Sequence, residues 1–120
     1  MILDDFAEIS SDSGVPELTD TSASNGFYIF ARFHARSGSE AAVAAAIRDV
    51  LAPTRKEAGC IRAHAVRSIR DARLYYIHSR WRDEGAFEFH RTLPHTLRFI
   101  ELVRTLIDHD LDVARTLLMD

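Results

Sequence analysis

From Phe27 onward apolar and polar positions alternate, with Phe27, Ile29, Ala31, Phe33 and Ala35 on one side and Tyr28, Phe30, Arg32 and His34 on the other. A period of two predicts a strand. Beyond the turn Ser37-Gly38-Ser39 the period lengthens, and Val43, Ala46, Ile47, Val50 and Leu51 form one helical stripe with Ser39 placed to cap it. Pro53 is expected to kink this helix and Gly59 to end it. Two further alternating runs follow, Cys60 to Arg67 and Leu74 to Trp81, joined by Ile69 to Arg73, a link short enough for an antiparallel hairpin. A turn centred on Asp71 sets Ile61 opposite Trp81, Ala63 opposite Ser79, Ala65 opposite Ile77, Arg62 opposite Arg80 and His64 opposite His78. Asp83 then reads as an N-cap, with Phe87 and His90 one turn apart. A second helical stretch opens at Pro94 and carries Leu97, Ile100, Val103 and Ile107. Val113 to Met119 closes the chain as a strand.

The order β, α, β, β, α, β is the split pattern of ferredoxin-like α+β folds, in which one antiparallel sheet carries both helices on a single face. Ile29, Ala31, Phe33, Ile61, Ala63, Ala65, Ile77, Ser79 and Trp81 are therefore expected beneath the helices. Ala31, Ala63, Ala65 and Ser79 are too small to fill the space beside Trp81, so either the helices settle onto them or a cavity remains. The opposite face mixes Tyr28, Phe30, Val66 and Tyr76 with Arg32, Arg62, Arg80 and three histidines. Left open it would expose an apolar patch that monomers rarely tolerate, which favours a sheet-to-sheet homodimer.

Charge divides the chain. Residues 1–26 hold six acids and no Lys or Arg, whereas the rest holds all 15 basic residues against 12 acids. The first segment reads as an acidic extension, with Ile2, Phe6 and Ile9 at helical spacing, and residues 27–120 as one domain. Acids of that extension could offset the like-charged pair Arg62 and Arg80 across a subunit contact. A net charge of -3 removes the general attraction to phosphate backbones and so argues against nucleic acid as partner. The single cysteine, Cys60, excludes an intrachain disulfide. It reads as a small buried hydrophobe rather than a nucleophile. Without a signal-like start or an apolar run of membrane length, a cytoplasmic, membrane-free protein is expected.

Ala31-Arg32-Phe33 before Gly38, Pro53-Thr54-Arg55 leading to Glu57-Ala58-Gly59-Cys60, then Arg80-Trp81, Phe87, His90 and Pro94-His95 resemble the antibiotic biosynthesis monooxygenase-like family of dimeric α+β barrels. The resemblance runs from about Phe27 to the end. It implies a homodimer with a pocket between sheet and helices, oxidising quinols or anthrone-like polyketides with O2 and without metal or flavin. Related proteins degrade haem or isomerise signalling metabolites, so fold alone does not fix the chemistry. Three departures stand out. Ser79 replaces a glutamate common in the family, Ala63 replaces a tyrosine, and Ala31 stands where haem-degrading relatives carry asparagine. The first two enlarge the pocket; the third argues against haem breakdown.

The expected function is a cofactor-independent monooxygenase acting on a small aromatic hydroxy compound, with no metal. His95 or His90 would be the base, with His95 slightly favoured because the start of a helix disfavours its imidazolium. Trp81, Phe33 and Ile77 would sandwich the ring over Ala31 and Ala63, and Ser79 or the Trp81 N–H would hold the resulting anion. The blander readings are a core Trp81 whose N–H meets a carbonyl, and a His90 that serves only its helix end. His34, His64 and His78 share a face and could in principle hold a metal, although three arginines beside them oppose a cation. Arg70 and Arg73 read as solvated turn residues. The rival function is a non-catalytic dimeric module binding a hydrophobic metabolite, or a solid scaffold with the alanines covered by Phe87, Phe99 or Leu97.

Overall fold

The structure is a computed structural model that describes residues 26–120. Residues 1–25 of the acidic extension, with the spaced Ile2, Phe6 and Ile9, lie outside the described residues. Strands β1 (Phe27–His34), β2 (Cys60–Arg67), β3 (Leu74–Trp81) and β4 (Asp112–Leu117) alternate with helices α1 (Glu40–Arg55), α2 (Glu84–His90) and α3 (Pro94–Arg104). The four strands form one antiparallel sheet in the order β2-β3-β1-β4. This is the expected ferredoxin-like α+β architecture, with its second helical segment split in two.

The inner face of the sheet meets the helices in two apolar clusters. Ala31, Phe33, Ala63 and Tyr75 pack with Val43, Ile47, Leu51, Val103 and Ile107, and Phe27, Ile29 and Trp81 pack with Ala86 and Phe87. Tyr75 ends this face toward α1, its hydroxyl donating to the Glu40 carbonyl at 3.2 Å. Ile107 falls beyond the end of α3, where it bridges Ala35 in a short antiparallel contact. Of the two expected caps, Asp83 accepts from the Ala86 N–H at 2.9 Å, whereas Ser39 holds the N-cap position without a side-chain bond.

The hairpin register matches the sequence reading from Arg62 to Ala65 and departs from it at the start of β2. Cys60, not Ile61, pairs with Trp81, because the register shifts between Cys60 and Arg62. Such a bulge inserts one unpaired residue and re-aims its neighbours. Ile61 is thereby turned outward and is 46% exposed, while the smaller Cys60 packs against both clusters. Ala65 also proves exposed, since β2 is an edge strand and its outer half runs past the helices.

Helix α1 continues through Pro53 to Arg55 and is capped by Lys56 in right-handed helical conformation. Gly59 is therefore not the helix stop. Its backbone has no positive φ. A side chain there would collide with the Ala86 Cβ, so glycine lets the end of the α1–β2 link lie directly against α2.

On the opposite face Tyr28 and Phe30 are buried, at 3% and 9% exposure. The continuous open aromatic patch expected there is thus absent, leaving Val66 as its exposed apolar member. His34 does not join His64 and His78. Its two ring nitrogens bond Asp108 Oδ2 at 2.7 Å and Asp71 Oδ2 at 3.0 Å, tying the hairpin turn to the α3–β4 link. Arg73 joins the same tie through the Ala35 carbonyl, at 2.9 Å, and Asp108, so it is not merely a solvated turn residue. The backbone N–H of Arg73 and the His34 ring hold the Asp71 carboxyl below its usual range, and His34 does the same for Asp108.

Candidate active site

A cavity of about 380 Å³ lies between the inner face of the sheet and the helices. Ala31, Ala63, Ile77 and Ser79 form its floor, and Phe33, Trp81, Phe87 and Phe99 its aromatic walls. Ala31, Ala63 and Ser79 line this space although they are buried, at 9%, 1% and 4% exposure. Leu97, a potential plug, is 53% exposed instead. All six residues expected to contact a ring, namely Trp81, Ser79, Phe33, Ile77, Ala31 and Ala63, line this space, as does His90. His95 does not line it.

Trp81 is buried on β3, and its indole N–H donates to Ser79 Oγ at 2.9 Å rather than to a carbonyl. That bond takes the Trp81 donor away from any ligand. The hydrogen of the Ser79 hydroxyl is left as the donor on this wall, with its oxygen polarised by the indole.

His90 closes α2, the short helix fixed at its start by the Asp83 cap, and its ring lies 4.7 Å from the Trp81 ring and 5.6 Å from that of Phe87. Its Nδ1 is 2.7 Å from Glu57 Oε2, and His95 Nε2 reaches the same oxygen at 2.7 Å. The Thr96 hydroxyl lies 3.2 Å from His90 Nδ1. A carboxylate only accepts hydrogen bonds, so both ring nitrogens carry hydrogen toward Glu57 and His90 Nε2 keeps its lone pair. Burial lowers the His90 pKa below the ordinary histidine value, with Glu57 opposing that shift and His95 adding slightly to it. The ring is therefore neutral near pH 7, and Glu57 stands where it can stabilise the imidazolium that proton uptake creates.

In the sequence Glu57 stands out only as part of the stretch Glu57 to Cys60, with no role attached to it. It sits in the link after α1, where its backbone N–H bonds the Thr54 carbonyl and its carbonyl accepts from Cys60, both at 3.1 Å. Nothing in its spacing from His90 or His95 announces the contact, because three separate elements bring the groups together. Cys60 is an unreactive neighbour. Burial first, then the Glu57 charge, pushes its thiol up to about 11, far from a working thiolate.

Arg91, Arg104 and Arg115 stand on the cavity rim. Arg91 pairs with Glu88, and Arg115 pairs with Glu84 and Glu88 while its guanidinium lies 5.2 Å from the centre of the Phe87 ring. Among the described residues Arg104 has no acidic partner.

Residues 26–102 match the family model described as antibiotic biosynthesis monooxygenase. The chain belongs to that family. The solved structures place this family member among proteins of the same fold. PA3566 from Pseudomonas aeruginosa is 27% identical, with a TM-score of 0.76, over 83% of this chain and 100% of its own. Rv0793 from Mycobacterium tuberculosis is 26% identical, with a TM-score of 0.75, over 80% of this chain and 97% of its own. A structure described as antibiotic biosynthesis monooxygenase is 19% identical, with a TM-score of 0.71, covering 75% and 95%, and speaks for the fold alone. Comparison with curated proteins gives no match. Among the described residues no helix is long and apolar enough to cross a membrane.

Proposed function

We propose that this family member is a monooxygenase that oxidises a small aromatic hydroxy compound of the quinol or anthrone class with O2, using His90 as base. The observation that carries this reading is an aromatic-walled cavity with one imidazole on its lining, hydrogen-bonded to a buried carboxylate. Its volume falls within the range of small-molecule pockets, about 300–1,000 Å³. In this reading Trp81, Phe33 and Ile77 flank a planar ring, with Ala31 and Ala63 beneath it.

For an anthrone-like CH2 group the steps balance as follows. His90 Nε2 takes one proton, and the electron pair left on carbon is delocalised onto the substrate oxygen. The Ser79 hydroxyl donates to that oxygen, and the arginines of the rim add favourable charge. The carbanion then reduces O2 by forming a carbon–oxygen bond, giving a hydroperoxide once the proton returns. Loss of water leaves a carbonyl, so one oxygen atom is retained and the other departs as water. The protein provides position, a proton acceptor and exclusion of bulk water. His95 is a positioning residue, sharing Glu57 with the base.

We further assign the protein to the cytoplasm and to a homodimer, the assembly implied by the family resemblance; sedimentation equilibrium tests the latter. The function is tested by oxygen uptake with a panel of naphthols, quinols and anthrones, beside ligand binding measured by calorimetry. Substrate-dependent uptake that disappears in His90→Ala is expected. Tight binding of the same compounds without turnover would instead make the protein a binding module.

A further inference from the structure

We propose that Glu57, His90 and His95 form a binding site for one divalent first-row transition ion, and that the ion and the proton-accepting role of His90 exclude each other. The first half rests on the geometry of the cluster; the second rests on the function proposed above.

The donor atoms of these three side chains all lie within 4.8 Å of one another. Among the described residues this is the single group of three or more His, Cys, Asp or Glu with that property. Two imidazoles and one carboxylate suit zinc, cobalt, nickel or ferrous iron, whereas calcium and magnesium prefer oxygen alone. Three protein ligands also leave at least one coordination position open.

A second observation concerns charge. The Glu57 side chain is 8% exposed, and among the described residues its hydrogen-bond partners are the two imidazoles, with no Lys or Arg reaching it. Its other oxygen, Oε1, is buried without any hydrogen-bond partner. Buried carboxylates are ordinarily paired with a cation or bound to a metal, and an orphaned acceptor oxygen is costly. A cation among Oε2, His90 Nδ1 and His95 Nε2 supplies the missing charge, and a small rotation of the carboxylate brings Oε1 into reach of the same ion.

Both rings aim a nitrogen at Glu57 Oε2, 2.7 Å from each. For an ion to sit among the three donor atoms, the carboxylate draws back from the two nitrogens and each ring carries its proton on the other nitrogen. His90 then carries hydrogen on Nε2. That nitrogen turns from acceptor to donor, so an ion-loaded site cannot take a proton from a substrate.

The full chain, stripped with a chelator, is titrated with Co2+ followed by visible absorption and with Zn2+ followed by calorimetry. One equivalent is expected to bind with the d–d bands of a low-coordinate nitrogen and oxygen site. Glu57→Gln and His95→Gln are each expected to weaken binding at least tenfold and to abolish the rise in thermal midpoint that Zn2+ gives the unaltered chain. His64→Gln, on the far face of the sheet, is expected to bind as the unaltered chain does. Absence of one-equivalent binding, or equal affinity in Glu57→Gln and His95→Gln, overturns the site. Saturating Zn2+ is expected to stop quinol-dependent oxygen uptake, and full uptake with Zn2+ bound overturns the exclusion. Specific Co2+ binding by a chain that shows no uptake in the stripped form supports the site and removes the oxygenase reading alone.

Discussion

Glu57 and His90 are 33 residues apart in sequence, yet Oε2 of one lies 2.7 Å from Nδ1 of the other. The carboxylate fixes the tautomer of the neutral ring, with hydrogen on Nδ1 and the lone pair on Nε2.

Removal of the base and removal of its neighbour are expected to differ. His90→Ala should lower kcat for quinol oxidation by about 10²–10⁴-fold, the usual contribution of a positioned proton acceptor. His95→Gln should cost far less, because Glu57 still holds His90. Oxygen-electrode kinetics on both variants check the order, and equal losses would place the two rings in equivalent roles.

The cavity can be narrowed from its floor. Ala63 lines the space of about 380 Å³ but is 1% exposed and packs against the helices, so the extra methylenes of Ala63→Leu should cost about 1–3 kcal/mol of folding stability while binding of aromatic ligands is lost. Calorimetry for the ligand and chemical denaturation for stability separate the two effects. Retained affinity would show that the ligand sits elsewhere.

Ser79→Ala leaves the buried Trp81 N–H without its acceptor. An unpaired buried donor costs about 1–3 kcal/mol, so the unfolding free energy from urea denaturation should fall by that amount. Trp81→Phe with Ser79→Ala, which removes both partners, should recover part of the hydrogen-bond term. Stability equal to the unaltered chain in Ser79→Ala would mean that a water or the cavity solvates the indole.

Gly59→Ala inserts a methyl group where the Ala86 Cβ already stands. Overpacking of this kind costs about 1–3 kcal/mol, and here it also pushes α2, which carries His90, away from the sheet. Both the denaturation midpoint and kcat should fall. A loss of stability with full activity would show that α2 tolerates the shift.

His78 gives the molecule an acid limit. Burial, with Arg62 and His64 nearby, depresses its pKa from 6.5 to about 4. A depressed histidine pKa means that the folded state excludes a proton the unfolded chain accepts. This contribution to stability is therefore intact above pH 6.5 and is lost progressively as pH falls from 6.5 toward 4. His78→Phe keeps a ring against Tyr28 and Phe30, whose centroids lie 5.6 Å and 5.1 Å from the imidazole, and should flatten the stability profile across that window. A profile as steep as that of the unaltered chain would assign the acid sensitivity to other groups.

Local pattern alone set much of this protein. Period-two alternation marked β1 and the hairpin, the stripe from Val43 to Leu51 marked α1, and the small residues Ala31, Ala63 and Ser79 beside Trp81 marked an unfilled space. These follow from side-chain size and backbone periodicity, which neighbours along the chain determine. Tertiary packing decided the rest. The bulge that seats Cys60 rather than Ile61 opposite Trp81 is a property of the strand pairing, which no period along one strand encodes. The convergence of Glu57, His90 and His95 depends on one link and two helices arriving at one point, because a hydrogen bond between distant residues is a property of the folded backbone and leaves no spacing in the sequence.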